Sequence, residues 1–123
     1  FHGAAGHMGH IECSAAAGIP CACGRSGHLE SVASGTSIGR MYDERFGRVD
    51  PSRPSVGRDV NDLCRAGDAK ATEVIHDAGF ALGASLGSLA NILDPEVIVL
   101  SGGVIHQGPD WRSGGRRPAH RRR

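Results

Sequence analysis

The sequence predicts an α/β domain, on three observations. A helical stretch runs over about residues 69–93, Asp94-Pro95 stops it, and "EVIVLSGGV" follows at once. Within that string, residues 97–100 form a continuous apolar run, the pattern of a strand covered on both faces. Helix, buried strand and Gly102-Gly103 make half of an α/β unit, and a nucleotide or phosphate commonly lies at the carboxyl end of such a strand. A buried strand that ends in a plain turn reads the same way.

The elements follow in order. Gly3, Gly6, Gly9, Gly18, Pro20, Gly24 and Gly27 forbid a long regular element, so residues 1–27 read as loop with a short strand near Ile11. Leu29, Val32, Ala33, Ile38 and Met41 then recur at three- and four-residue steps, which predicts a helix ending near Gly47. "VDPSRPSVG" at 49–57 reads as a Pro/Ser linker. A short amphipathic helix comes next, with Val60, Leu63 and Cys64 on one face and Arg58, Asp59 and Asp62 on the other. Asp68 is a good N-cap for the long helix. On that helix Gly79, Gly83 and Gly87 stack at steps of four, each at a cost of about 1 kcal/mol against Ala. Their alignment predicts close packing by a sheet or helix. Asp77, Ser85, Ser88 and Asn91 argue against the alternative, a membrane dimerisation face.

Composition bounds the rest. The chain has 123 residues, enough for one domain with a modest core. No apolar run approaches the roughly 20 residues of a membrane-spanning helix, and no signal peptide opens the sequence. The expectation is a soluble cytoplasmic protein, with no membrane partner, whose first residue is not a natural start. Net charge is +1, but residues 1–106 carry 8 Lys+Arg against 12 Asp+Glu, while residues 107–123 carry 6 Arg against one Asp. That basic segment reads as an unstructured or misread tail; contact with nucleic acid or an anionic surface is the other reading.

Chemistry concentrates in "GHMGHIECSAAAGIPCACGRSGHLE", residues 6–30, which holds three of the four cysteines beside His7, His10 and His28. Zinc takes four tetrahedral Cys/His ligands, and a glycine-rich loop can wrap it. Cys21 and Cys23 flank one residue, His28 follows, and the chain can return His10 to the same ion. His10, Cys21, Cys23 and His28 are therefore the candidate ligands of a structural Zn2+. A redox pair and a disulfide are weaker readings: no Cys-x-x-Cys beside a βαβ pattern is present, and nothing marks an oxidising compartment. Cys13 and Cys64 read as simple buried thiols, and His2, His76 and His106 as surface or loop residues.

The string "GHMGHIE…PCACGRSGHLESVASG" resembles the zinc signature of the ROK family (repressors, open reading frames and kinases). That pattern runs Gly-Glu-x-Gly-His, a gap, then Cys-x-Cys-Gly-x-x-Gly-Cys-x-Glu-x-x-x-Ser-Gly. "ANILDPEVIVLSGGV" is similar to the family's Asn-x-x-x-Pro-x-x-x-x-x-Gly-Gly segment. The resemblance covers about residues 3–106. It implies part of an actin-like ATPase (ribonuclease H-like) fold, the C-terminal lobe with an inserted zinc-binding loop. On that basis residues 1–106 are a partial ROK domain: zinc loop 6–30, helices 29–93, and the strand with Gly-Gly at 96–103. The implied activity is ATP- and Mg2+-dependent phosphorylation of a hexose, glucose or an N-acetylated hexosamine. In the repressor branch it is sugar sensing, with DNA as partner through an upstream helix-turn-helix; a homo-oligomer is expected of the intact protein.

By residue, His10 matches the histidine that binds zinc and faces the sugar, and Cys21 and Cys23 match two cysteine ligands. Glu30 matches a carboxylate that accepts from sugar hydroxyls. Gly102 and Gly103 match glycines bordering the adenosine pocket. Read without the resemblance, Glu30 is a first-turn helix carboxylate favoured by the dipole. Two positions depart from the pattern. His28 stands where the family has a cysteine, and imidazole still ligates zinc. His7 stands where the family has a sugar-binding Glu, and imidazole lacks a carboxylate's paired acceptors. The general-base Asp and phosphate loops of the kinases precede Gly-x-Gly-His, and here no Asp occurs before Asp43. The expectation is a fragment inactive alone, with no catalytic residue of its own; a pseudo-enzyme whose zinc only holds a loop is the plainest alternative.

Overall fold

The computed structural model describes residues 6–104. The basic segment 107–123, His2 and His106 lie outside the described residues. Among the described residues four helices carry the architecture: α1 (Glu30–Ala33), α2 (Gly35–Phe46), α3 (Gly57–Arg65) and α4 (Ala69–Leu93). Two 3-10 turns, Met8–His10 and Ser14–Ala16, precede them. α2, α3 and α4 pack on one another, and α1 lies against α2 and α4. Ile38, Val60 and Val74, one from each of the three longer helices, are the largest fully buried side chains.

α4 spans the residues its sequence predicts. The Asp68 carboxylate accepts from Ala71 N–H at 2.7 Å, satisfying one of the helix's orphan donors. Asp94 closes the helix in the left-handed conformation, φ 45°, which Asp tolerates better than most residues, and Pro95 cannot continue it. The expected single helix from 29 to 47 is instead two. Ser34 is extended, and its Oγ accepts from Ser37 N–H at 3.1 Å, so a second N-cap outcompetes helical continuity. The Ser37 hydroxyl then donates to the Glu30 carbonyl at 2.7 Å, tying α2 to α1 across the break.

The segment 49–57 is a clamped loop rather than a plain linker. Arg53 makes a two-pronged contact with Asp59, at 2.7 and 2.8 Å, and the same carboxylate accepts from Val56 N–H at 2.9 Å. Asp43 on α2 accepts from Ser55 N–H at 2.9 Å. The Arg53 hydrogen bonds, then the Val56 N–H, hold the Asp59 carboxyl down at about 2, well below the usual carboxylate range. A depressed folded-state value stabilises the fold above the unfolded value of about 3.9 and is lost as pH falls through about 2. Acid unfolding of the parent should therefore steepen between about pH 4 and 2, and Asp59→Asn should flatten that limb. Superimposable acid profiles would remove Asp59 from the account.

Two expectations are corrected. Residues 97–100 form no strand: Val97 is 73% exposed and Val99 82% exposed, and no strand neighbour exists for them among the described residues. A strand needs a partner's ladder hydrogen bonds and cover for both faces, and this part of the chain supplies neither. The only sheet-like pairings among the described residues are the isolated antiparallel bridges Glu12–His28 and Pro20–Ser26, the first beside the predicted strand near Ile11. The glycine stripe on α4 is likewise only partly covered. Gly79 is buried, Gly83 half-buried, and Gly87 exposed with open space where a side chain would be. Close backbone approaches are found at two other glycines: a Cβ on Gly39 would overlap the Ser55 carbonyl, and one on Gly57 would sit 2.9 Å from the Gly35 Cα. No helix among the described residues is long and apolar enough to cross a membrane.

Candidate metal centre

The loop ahead of α1 is built from a few backbone bonds. Cys21 N–H donates to the Arg25 carbonyl at 2.7 Å and Gly24 N–H to the Cys21 carbonyl at 3.0 Å, closing a tight turn. Gly24 and Gly27 adopt φ of 90° and 85°, a region open to glycine but not to most residues. Cys13 N–H donates to the Gly27 carbonyl at 2.9 Å and Leu29 N–H to the Ile11 carbonyl at 3.0 Å. The chain is thereby folded back on itself, and the end of the first 3-10 turn, His10, meets the Cys21–His28 segment.

His10, Cys21, Cys23 and His28 come together: one ligand atom from each lies within 4.8 Å of all the others. Cys23 Sγ is 3.2 Å from His28 Nδ1, and Cys21 Sγ is 3.7 Å from His10 Nδ1. A tetrahedral zinc with ordinary Zn–S and Zn–N bonds separates its ligands by about 3.5 Å, so the group needs little contraction to close on such an ion. Cys21 and His28 are buried and Cys23 and His10 exposed, which leaves one side of the cluster open to solvent. The Cys23 backbone N–H, and then hydrogen bonds from His28, Cys23 and His10, outweigh burial and lower the Cys21 thiol to about 6. A thiolate at neutral pH is the form that ligates a metal. The donor set therefore fits a divalent, thiolate-preferring ion.

Glu30 opens α1 and is exposed. Its Oε2 lies 3.9 Å from His10 Nε2, the nitrogen turned away from the cysteines. His7 is exposed, its ring centroid 6.1 Å from that of His10. The structure thus groups His7, His10 and Glu30 on the open side of the cluster. Gly102 and Gly103 are not brought into this group by any contact. Both are exposed, Gly102 has φ 132°, and Val104 beside them packs against Gly35. Cys13 and Cys64 are half-buried thiols outside any disulfide; both pack against the core, and Cys64 Sγ lies 3.5 Å from Thr72 Oγ1.

Gly9 has a role that its place in the sequence hides. It reads as a turn glycine, yet it adopts no left-handed φ; instead a Cβ there would lie 2.8 Å from Glu30 Oε2. That role is a distance between residues far apart in the chain, and only the Gly-His dipeptide of the motif hinted at it.

The metal-competent group and its neighbouring carboxylate sit in a fold with known counterparts. The ROK family model matches residues 1–111, and the chain belongs to the ROK family. It is 37% identical to a glucokinase of Halalkalibacterium halodurans, over 87% of this chain and 35% of that protein. It is 41% identical to an N-acetylmannosamine kinase of Yersinia pestis, over 83% of this chain and 33% of the relative. Among solved structures, the ROK hexokinase of Thermus thermophilus superimposes with a TM-score of 0.77 at 33% identity, over 90% of this chain and 36% of that one. A ROK family transcriptional regulator, a homologue of the E. coli MLC protein, gives 0.65 at 28% identity, over 88% and 29%. The chain therefore spans about a third of the length of the relatives it matches and shares the fold of that part, in which helices predominate.

Proposed function

We propose that these residues are the C-terminal-lobe portion of a ROK sugar kinase with an actin-like ATPase architecture. In this reading His10, Cys21, Cys23 and His28 hold a structural Zn2+ that orders the loop ahead of α1. The ordered loop presents Glu30, His10 and His7 to a hexose, with Glu30 accepting from sugar hydroxyls. The observation that carries the reading is the side-by-side placement of the four-ligand group and Glu30, His10 belonging to both. ATP and Mg2+ belong to the longer protein, with Gly102 and Gly103 bordering the adenosine. The exposed run at 97–100 supports a fragment that other segments of a longer chain complete. Glucose or an N-acetylated hexosamine is the proposed substrate, the relatives being a glucokinase and an N-acetylmannosamine kinase. His7 in place of a carboxylate is expected to weaken or redirect sugar choice.

The superposition on a transcriptional regulator supports a second reading, a sugar-sensing effector domain of a ROK repressor. An ATP-coupled assay of the longer protein across a hexose panel separates the two. Turnover of one or more hexoses is the expected result. DNA binding released by sugar, with no hexose phosphorylated, would replace the kinase with the repressor. The 123-residue chain alone is expected to turn over none of them.

A further inference from the structure

We infer that Gly9 and Glu30 act as one positioning unit for the metal centre, the bare backbone of Gly9 seating the Glu30 carboxylate against His10. The inference rests on the zinc reading above and concerns how the chain tunes that site. His10 presents Nδ1 toward Cys21 Sγ, at 3.7 Å, and Nε2 toward Glu30 Oε2, at 3.9 Å. If Nδ1 ligates, Nε2 carries the ring proton and points at an anionic oxygen. A carboxylate that closes from 3.9 Å to hydrogen-bond reach as the ring turns onto the metal would fix the tautomer and restrain the ring. Glu30 keeps this place only because residue 9 has no side chain: a Cβ there would meet Oε2 at 2.8 Å and the Glu30 Cβ at 3.4 Å. The carboxylate is the flexible end of an exposed side chain, so it would swing aside at small cost to the fold. Displacement, not unfolding, is the consequence of filling that space.

The test is a zinc competition titration against a chromophoric chelator, on the full 123-residue chain, for Gly9→Ala, Glu30→Gln and the double variant. Each single variant should bind zinc roughly tenfold more weakly, at the parent's stoichiometry, as expected for loss of an outer-shell partner. The double variant should lose no more than the weaker single, because both changes remove one interaction. The metal-free melting temperatures should match the parent's, and the absorption bands of the cobalt-loaded singles should shift together. Parent-like zinc affinity in either single, or losses that multiply in the double, would overturn the unit. Failure of the zinc reading itself looks different: the parent would take up no zinc.

Discussion

Gly39→Ala is expected to lower the melting temperature by about 12–24 °C, the largest effect of any single methyl group in the described fold. The reason is geometric. The added carbon would overlap the Ser55 carbonyl and press on the Val56 Cα, and neither can swing away as a side-chain end would. Relief requires the 49–57 loop to lift from α2, where Asp43 holds it by accepting from Ser55 N–H, while the Ser55 hydroxyl, accepting from Val49 N–H, stiffens the loop itself. Overpacking against fixed atoms costs about 3 kcal/mol, and each kcal/mol moves the midpoint of a domain this size by about 4–8 °C. Calorimetry or a denaturant titration measures it. A change within about 0.5 kcal/mol of the parent would show that the α2–loop contact is looser than described. Because Ser37 on α2 donates to the Glu30 carbonyl, the variant should also blunt zinc uptake when measured near its lowered midpoint.

That glycine illustrates which features a sequence exposes. α4 was legible because its signals are local: Asp68 as cap and Asp94-Pro95 as stop. The gathering of His10, Cys21, Cys23 and His28 was legible for a related reason. Few residue types share that chemistry, and Gly24 and Gly27 supply the positive φ values the turns between them demand. Gly39, Gly57 and Gly9 were opaque, since each matters through an atom many residues away. Ser34 was misread because its apolar neighbours keep helical spacing while its hydroxyl caps a new helix. The run at 97–100 carries a buried strand's composition, but cover and ladder partners are absent from the described residues, so composition alone could not make a strand there.

Cys23→Ser should abolish stoichiometric zinc binding and remove the metal's contribution to stability. A serine hydroxyl stays protonated at neutral pH and is a poor replacement for a thiolate, so the centre would fall from four ligands to three. Loss of a direct ligand should exceed the ten- to hundredfold typical of outer-shell changes, so affinity falls by roughly a hundredfold or more. The structural consequence follows from how little else holds the loop. Residues 6–28 contain two short 3-10 turns and isolated bridges, with His10 and Cys23 exposed. A ligand that binds only the folded loop stabilises it by mass action, so zinc should raise the parent's melting temperature and a chelator should lower it again. The variant should melt at one temperature with or without zinc, close to that of the chelated parent. Metal analysis and paired melts decide it. A Cys23→Ser chain that still carries zinc at the parent's stoichiometry would mean that the ion is held by another set of side chains, and the ordered presentation of Glu30 would need a different cause.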